Sequence, residues 1–206
     1  NLKKIPKFPS IFIANEFFDA LPIKQFLKRN NNWYEKYIIN KDKSLDFFEK
    51  KIKKKFIEKL IKQKIQKNQK FIEYSPLGNE KLNIISKIIK KQNGGLLIID
   101  YGYKDKKMFD TLQSIKNHKK NSLLENIYKA DITHLINFDF FIKKIKNLEI
   151  DSINLTTQRE FLLKMGILER AEIISKNMPF TKKTDIYFRI KRLIDKKQMG
   201  TLFKVL

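Results

Sequence analysis

The sequence predicts an α/β fold, and three observations carry that expectation. "LLIIDYGY" (96–103) opens with four consecutive apolar residues and no alternation, the mark of a strand covered on both faces and so of a parallel sheet. A segment of helical period feeds it through the short Gly94-Gly95 turn, which makes half of a βαβ unit. "SIFIA" (10–14) is a second short buried strand, and it runs directly into Asn15 and Glu16.

Taken in order, Ser10 to Ala14 is the first strand, and "QFLKRNNNWYEKYIIN" follows as a hairpin insertion. Phe26 and Leu27 precede its polar turn, Asn30 to Asn32; Trp33, Tyr34, Tyr37 and Ile38 come after it. From Phe48 to Lys67 the period changes, with Ile52, Phe56 and Leu60 in one column and Ile57, Ile61 and Ile65 in the next. Spacing of four in adjacent columns predicts an amphipathic helix whose other face is almost solid lysine. A membrane-surface helix shares that look, but a core-facing helix with a solvated back is the commoner case. "FIEYSPLGNE" interrupts at Pro76 and Gly78, and a helix runs over Glu80 to Gln92, apolar at Leu82, Ile85, Ile88 and Ile89. Gly94 and Gly95 are expected to cap it. The chain then reads as loop from Tyr103 to Asp131, where "DITHLINFDFFIKKI" begins another helix. "LTTQREFLLKMGI" is a helix with Thr156 or Thr157 as N-cap. Helical pattern continues over Ala171 to Lys176 and Asp185 to Asp195, and "GTLFKVL" ends the chain as a strand. No repeat, linker or composition break divides residues 1–206, so they read as a single domain.

Composition narrows the classes. With 206 residues, 42% of them hydrophobic and 12% aromatic, the chain can bury a core and is not of the disordered type. No apolar run approaches the roughly 20 residues that cross a bilayer. "NLKKIPKFPS" lacks the apolar centre of a signal peptide and lacks an initiating methionine, which reads as a processed, trimmed or partial chain. The absence of cysteine excludes disulfides and thiolate ligands or nucleophiles. The formal charge of +23 invites a nucleic-acid reading. Its type argues otherwise, since only Arg29, Arg159, Arg170, Arg189 and Arg192 are arginines, the residue preferred for phosphate and base contacts. Abundant Lys, Ile, Asn and Phe fit an AT-rich coding sequence, so nucleic acid is not the expected partner.

In an open parallel sheet, ligands bind beyond the carboxyl ends of the strands. Both predicted strands end in acids here: the first in Asn15 and Glu16, with Asp19 close behind, the second in Asp100, Tyr101 and Gly102. If the strands are neighbours, these groups share one crevice. Simpler structural roles also fit. Asn15 can cap a helix whose first turn carries Glu16 and Asp19, and Asp100 can open an Asx-turn. His118 and His134 are too few and too far apart for a metal cluster and read as surface or capping residues, so no metal is expected. The six glycines form no G-x-G pair, so the glycine turn of a complete dinucleotide or S-adenosyl-L-methionine site is missing. No G-x-S-x-G elbow or G-K-[ST] loop is present either.

The ordered blocks "ANEFFDALPIKQF", "WYEKYI", "EYSP", "GGLLIIDYGY", "TLQSIKNHKKNSLL", "ADIT…NF", "TQREFLLKMGI" and "MGTLFKVL" resemble the MidA family of class I S-adenosyl-L-methionine-dependent methyltransferases. That family includes protein-arginine methyltransferases of the mitochondrial complex I assembly type. The resemblance implies the later part of a Rossmann-like methyltransferase sheet, with Ser10 to Asn15 as its fourth strand and Leu96 to Asp100 as its fifth. The donor-binding glycine loop lies upstream in relatives, so 1–206 is a partial domain, and in isolation it is expected not to turn over. Leu135 stands where many relatives carry histidine, with His134 just before it; neither is given a role. Ser122 and Leu123 replace a common Asp-Pro.

The resemblance implies S-adenosyl-L-methionine as cofactor and a protein substrate, such as a respiratory complex I subunit. The compartment is the mitochondrial matrix in a eukaryote or the cytoplasm in a bacterium. Glu16 and Asp19 are the expected catalytic pair, holding a guanidinium by charge-assisted hydrogen bonds; a helical turn would point both into one pocket. Asn15 marks the boundary between donor and acceptor, and Asp100 and Tyr101 shape the rim. The alternative is a non-catalytic assembly module, which a missing glycine loop would suit.

Overall fold

A computed structural model describes residues 5, 7–42, 44–150 and 152–206. Its central sheet sets β1 (Ile11–Asn15) parallel to β6 (Gly95–Tyr103), in register from Ile11 opposite Gly95 to Asn15 opposite Ile99. The neighbour relation expected of these two strands therefore holds. The far flank is antiparallel: β12 (Phe203–Val205) lies on β6, and β11 (Thr156–Thr157) lies on β12. β10 (Ile136–Asn137) pairs parallel with the last two residues of β6. The α/β class is as expected, but the sheet is mixed. β1 is its outermost strand among the described residues, and Ile11 and Ile13 are 79% and 70% exposed on it.

Helices cover this sheet. Three of them, α2 (Pro76–Gln92), α3 (Phe138–Lys146) and α4 (Gln158–Lys164), carry side-chain N-caps from Ser75, Asn137 and Thr157. α5 (Ile167–Ser175), α6 (Phe180–Ile194) and the single turn α7 (Met199–Leu202) follow. Thr157 makes the expected cap as a full capping box with Glu160. The next two side chains stop another helix: Gln158 Nε2 and Arg159 Nη1 donate to the Leu193 and Ile194 carbonyls at the end of α6, satisfying acceptors a helix terminus leaves bare.

The insertion is larger than a hairpin. β2 (Lys24–Arg29), β3 (Asn32–Lys41), β4 (Ser44–Ile52) and β5 (Phe71–Tyr74) form an antiparallel sheet of order β4-β3-β2-β5. Asn30 and Asn31 both take positive φ at the β2–β3 turn, the backbone a two-residue hairpin loop requires. The helix expected from Phe48 to Lys67 is corrected on this account. Its first quarter is β4, where Phe48 pairs with Tyr37, and only α1 (Lys54–Ile61) is helical, burying Ile57 and Ile61.

Three other expectations change. Asn93, not Gly94 or Gly95, is the left-handed cap of α2; Gly94 instead lies against Ser10, whose carbonyl a Cβ would meet at 2.3 Å. The stretch read as loop after Tyr103 contains β7 (Gln113–Lys116), β8 (Lys119–Asn121) and β9 (Asp131–Thr133) as a small sheet. His118 sits with Asn117 at its positive-φ turn. The helix expected from Asp131 starts only at Phe138, because β9 and β10 occupy its front. "GTLFKVL" gives three strand residues after the turn of α7.

Phe18, Phe26, Phe138, Phe203, Ile57, Leu82, Ile98 and Ile136 are the most deeply buried apolar side chains. All of these except Phe203 belong to one core that ties the central sheet, the insertion and α3 together. Gly102 is needed where β6 meets β10. A Cβ there would stand 2.4 Å from the Ile136 carbonyl oxygen and 2.5 Å from the Phe138 ring. Gly102→Ala is expected to destabilise by about 1–3 kcal/mol, the usual cost of overpacking, seen as a lower urea midpoint at unchanged slope. No helix among the described residues is long and apolar enough to cross a membrane.

Candidate functional site

At Asn15 the first strand leaves the sheet while β6 continues beside the vacated position. The last tie is Glu16 N–H donating to Ile99 O at 3.0 Å. Glu16 then turns into the left-handed region at φ 46°, which is uncommon for a side chain of this size. That kink throws residues 16–21 across the carboxyl end of β6. The segment is a turn, closed by Leu21 N–H to Phe18 O, and not the first turn of a helix, so Asn15 caps nothing. Its side chain donates to Glu16 Oε1 at 3.4 Å.

Asp100 lies under this turn. It was expected at the rim but is fully buried. Its Oδ2 accepts the Phe18 and Asp19 amides at 2.9 and 3.3 Å, and its Oδ1 accepts the Tyr101 amide at 2.9 Å. One carboxylate thus pins the loop to the strand. Burial and the nearby Asp19 push Asp100 up to about 7, against the lowering effect of the three amides. The loop is fastened from the other side by His134 N–H donating to Asp19 O at 3.0 Å. Below it, the Phe18 ring meets Phe141 edge to face, centroids 5.1 Å apart.

The two acids expected to act together differ in exposure: Glu16 is open to solvent and Asp19 is only 4% exposed. Asp19 nevertheless feels Glu16. Burial, then Glu16, raises the Asp19 carboxyl, while His134 opposes. Asp19 Oδ1 and His134 Nε2 are buried with no hydrogen-bond partner among the described residues, an unusual condition that calls for a donor. Tyr101 completes the group. Its ring lies 3.9 Å from that of Phe203 by centroid, and burial first, then Glu16, raises its hydroxyl while Arg192 lowers it.

His134 is the residue that sequence reasoning set aside. Its imidazole is buried beside Asp19, and burial holds it below the ordinary histidine value. Behind it is a hollow lined by Phe18, Glu73, Tyr74, Tyr103 and Asn137. Glu73 is fully occupied there, accepting from Gln25, from the Thr111 amide and from the Thr111 hydroxyl. The Thr111 hydroxyl in turn accepts from Leu135 N–H, so the network braces the segment that carries His134. Among the described residues no group of three or more His, Asp or Glu is placed to hold a metal.

A mixed sheet flanked by helices, with acids gathered where its parallel strands end, is an open α/β fold with its candidate site at the strand ends. The family model described as "Putative S-adenosyl-L-methionine-dependent methyltransferase" matches residues 1–155, and the chain belongs to that family. It is 33% identical over 173 residues to the protein arginine methyltransferase NDUFAF7 homolog, mitochondrial, of Caenorhabditis elegans, covering 82% of this chain and 40% of that protein. With protein arginine methyltransferase NDUFAF7, mitochondrial, of Danio rerio it shares 28% identity over 211 residues, covering 99% of this chain and 48% of the relative. The chain thus spans under half the length of these curated relatives. A Burkholderia thailandensis crystal structure matches its fold with TM-score 0.78 at 19% identity, covering 98% of this chain and 55% of that one. A second structure from that organism, bound to S-adenosyl-homocysteine, matches with TM-score 0.76 at 19% identity, covering 98% and 54%.

Proposed function

We propose that this chain forms the acceptor side of a protein-arginine methyltransferase that uses S-adenosyl-L-methionine. The observation that carries the reading is the clustering of Asp19 on Asp100 where β1 leaves the sheet, with Glu16 near enough to raise the Asp19 carboxyl and one buried Asp19 oxygen lacking a donor among the described residues. A guanidinium is a planar fork of N–H donors that stays protonated near neutrality, so its nitrogens are poor nucleophiles. Glu16 and Asp19 accept its N–H groups, draw positive charge away from the reacting nitrogen and fix its direction. The bound cofactor supplies an electrophilic methyl group. Methylation obliges the nitrogen to release a proton, and Asp19, with its raised carboxyl, is suited to accept it.

The residues present suit one side of a donor pocket. Asn15 and Tyr101 flank the strand ends, and none of the six glycines makes a G-x-G turn. The chain is accordingly proposed to be the later part of one methyltransferase domain, as the family resemblance implies. The family resemblance and the mitochondrial relatives support a protein substrate of the respiratory complex I type. The relatives' names support a mitochondrial location if the source is eukaryotic, where the matrix is the compartment proposed; for a bacterial source the proposed compartment is the cytoplasm.

The test supplies intact protein with methyl-labelled S-adenosyl-L-methionine and an arginine-containing polypeptide, then hydrolyses the product. Label in methylarginine is the expected result. Label in lysine overturns the arginine assignment. Failure to bind the donor at all favours the assembly-module reading.

A further inference from the structure

A second concave site lies away from the strand ends, in a hollow of about 440 Å³ between α2, α3 and the end of α1. We propose that this hollow binds a soluble phosphate ester. The inference does not rest on the methyltransferase reading. Lys62, Lys87 and Lys144 line it, together with the amides Asn79 and Asn83 and the hydroxyl of Ser86. Among the described residues, none of the three lysines has a carboxylate within ion-pairing distance. The single acid in the lining, Glu80, pairs with Lys81 Nζ at 3.1 Å.

Two features separate the hollow from a merely lysine-rich surface. Lys144 is half-buried: its ammonium donates to the Ile61 carbonyl and lies 5.0 Å above the Phe140 ring. Burial, with Lys62 adding repulsion, depresses its pKa, a condition that an anion in the hollow would relieve. Ser86 has no exposed surface, and its Oγ has no hydrogen-bond partner among the described residues. A hydroxyl left so needs an acceptor. Once the Ser86 side chain turns toward the hollow, ammonium, amide and hydroxyl donors surround one concavity and match the several acceptor oxygens of a phosphate. The volume falls in the range of small-molecule sites, roughly 300–1,000 Å³, which favours an ester over a bare ion.

Adenosine monophosphate and glycerol 3-phosphate, both phosphate esters, are the probes, titrated calorimetrically into the intact protein at constant ionic strength near physiological. Saturable one-to-one binding is expected, weakened at least tenfold by Lys144→Met, which keeps the stem, and several-fold by Ser86→Ala. Lys120→Met, on β8, should change nothing. Glu16→Gln should leave this binding intact, which separates the hollow from the methyl-transfer site. Non-saturating binding, or equal weakening by Lys144→Met and Lys120→Met, would show only diffuse charge and overturn the proposal. Unchanged affinity in both Lys144→Met and Ser86→Ala would do the same. So would binding confined to long nucleic acids and lost steeply with salt.

Discussion

Glu16→Gln in the intact protein is expected to leave S-adenosyl-L-methionine binding within about twofold while lowering arginine methylation about a thousandfold, the scale of losing one preorganised charged contact. Glutamine preserves length and shape, so the turn over β6 should persist. The carboxamide, however, presents N–H donors where the guanidinium also presents donors, and it carries no charge to draw the cation's charge aside. Asp19→Asn should fall with it, because its buried oxygen is the other acceptor. Single-turnover transfer of a labelled methyl group, beside equilibrium dialysis of the donor, separates chemistry from binding. Turnover equal to the parent would sink the assignment of Glu16.

The second large effect belongs to Asp100. Asp100→Ala deprives the Phe18, Asp19 and Tyr101 amides of their acceptor. At about 1–3 kcal/mol for each unsatisfied buried group, a loss of at least about 3 kcal/mol is expected, with the 16–21 turn released. Asp100→Asn reads the protonation. The folded carboxyl titrates at about 7, against an ordinary value of 3.8, so the folded state holds the proton more tightly than the unfolded chain. Its contribution is complete below about pH 4 and is lost as pH rises through about 7. The stability of the parent relative to Asp100→Asn should therefore fall by about 2–4 kcal/mol between pH 4 and pH 8. His134 works in the opposite sense: its depressed value removes stability as pH falls below 6.5. Comparing parent and variant at each pH cancels that term. A constant difference across the range would show that Asp100 ionises like an ordinary carboxylate.

Sequence reading succeeded where the signal was local. "LLIIDYGY" and "SIFIA" are short apolar runs that read as strands and are strands, although "SIFIA" was expected to be buried and instead lies at the sheet edge with Ile11 and Ile13 exposed. Thr157 with Glu160 is a complete capping box within four residues. It failed where two local signals competed. Phe48 to Ile52 satisfies a helical column and a strand alternation equally, and only pairing with Tyr37 to Trp33 across β3 decides for the strand. The hairpin at Asn117-His118 was missed because it takes its left-handed turn without glycine. The acids at Glu16, Asp19 and Asp100 were visible as strand-end residues. The fact that Asp100 anchors a loop instead of facing a ligand was not, since Phe18 and Asp100 are 82 positions apart. His134 was beyond reach for the same reason: nothing beside it in the chain reveals that Asp19 is its neighbour in space.

Glutamate is a poor tenant for the left-handed backbone at position 16, since crowding of its Cβ there costs roughly 1–2 kcal/mol that glycine would not incur. The kink nevertheless aims this side chain outward over the strand end. Engineering for heat tolerance would therefore select glycine at this corner and, under the proposed function, remove the acid that grips the substrate, because robustness and reactivity compete here for a single torsion angle.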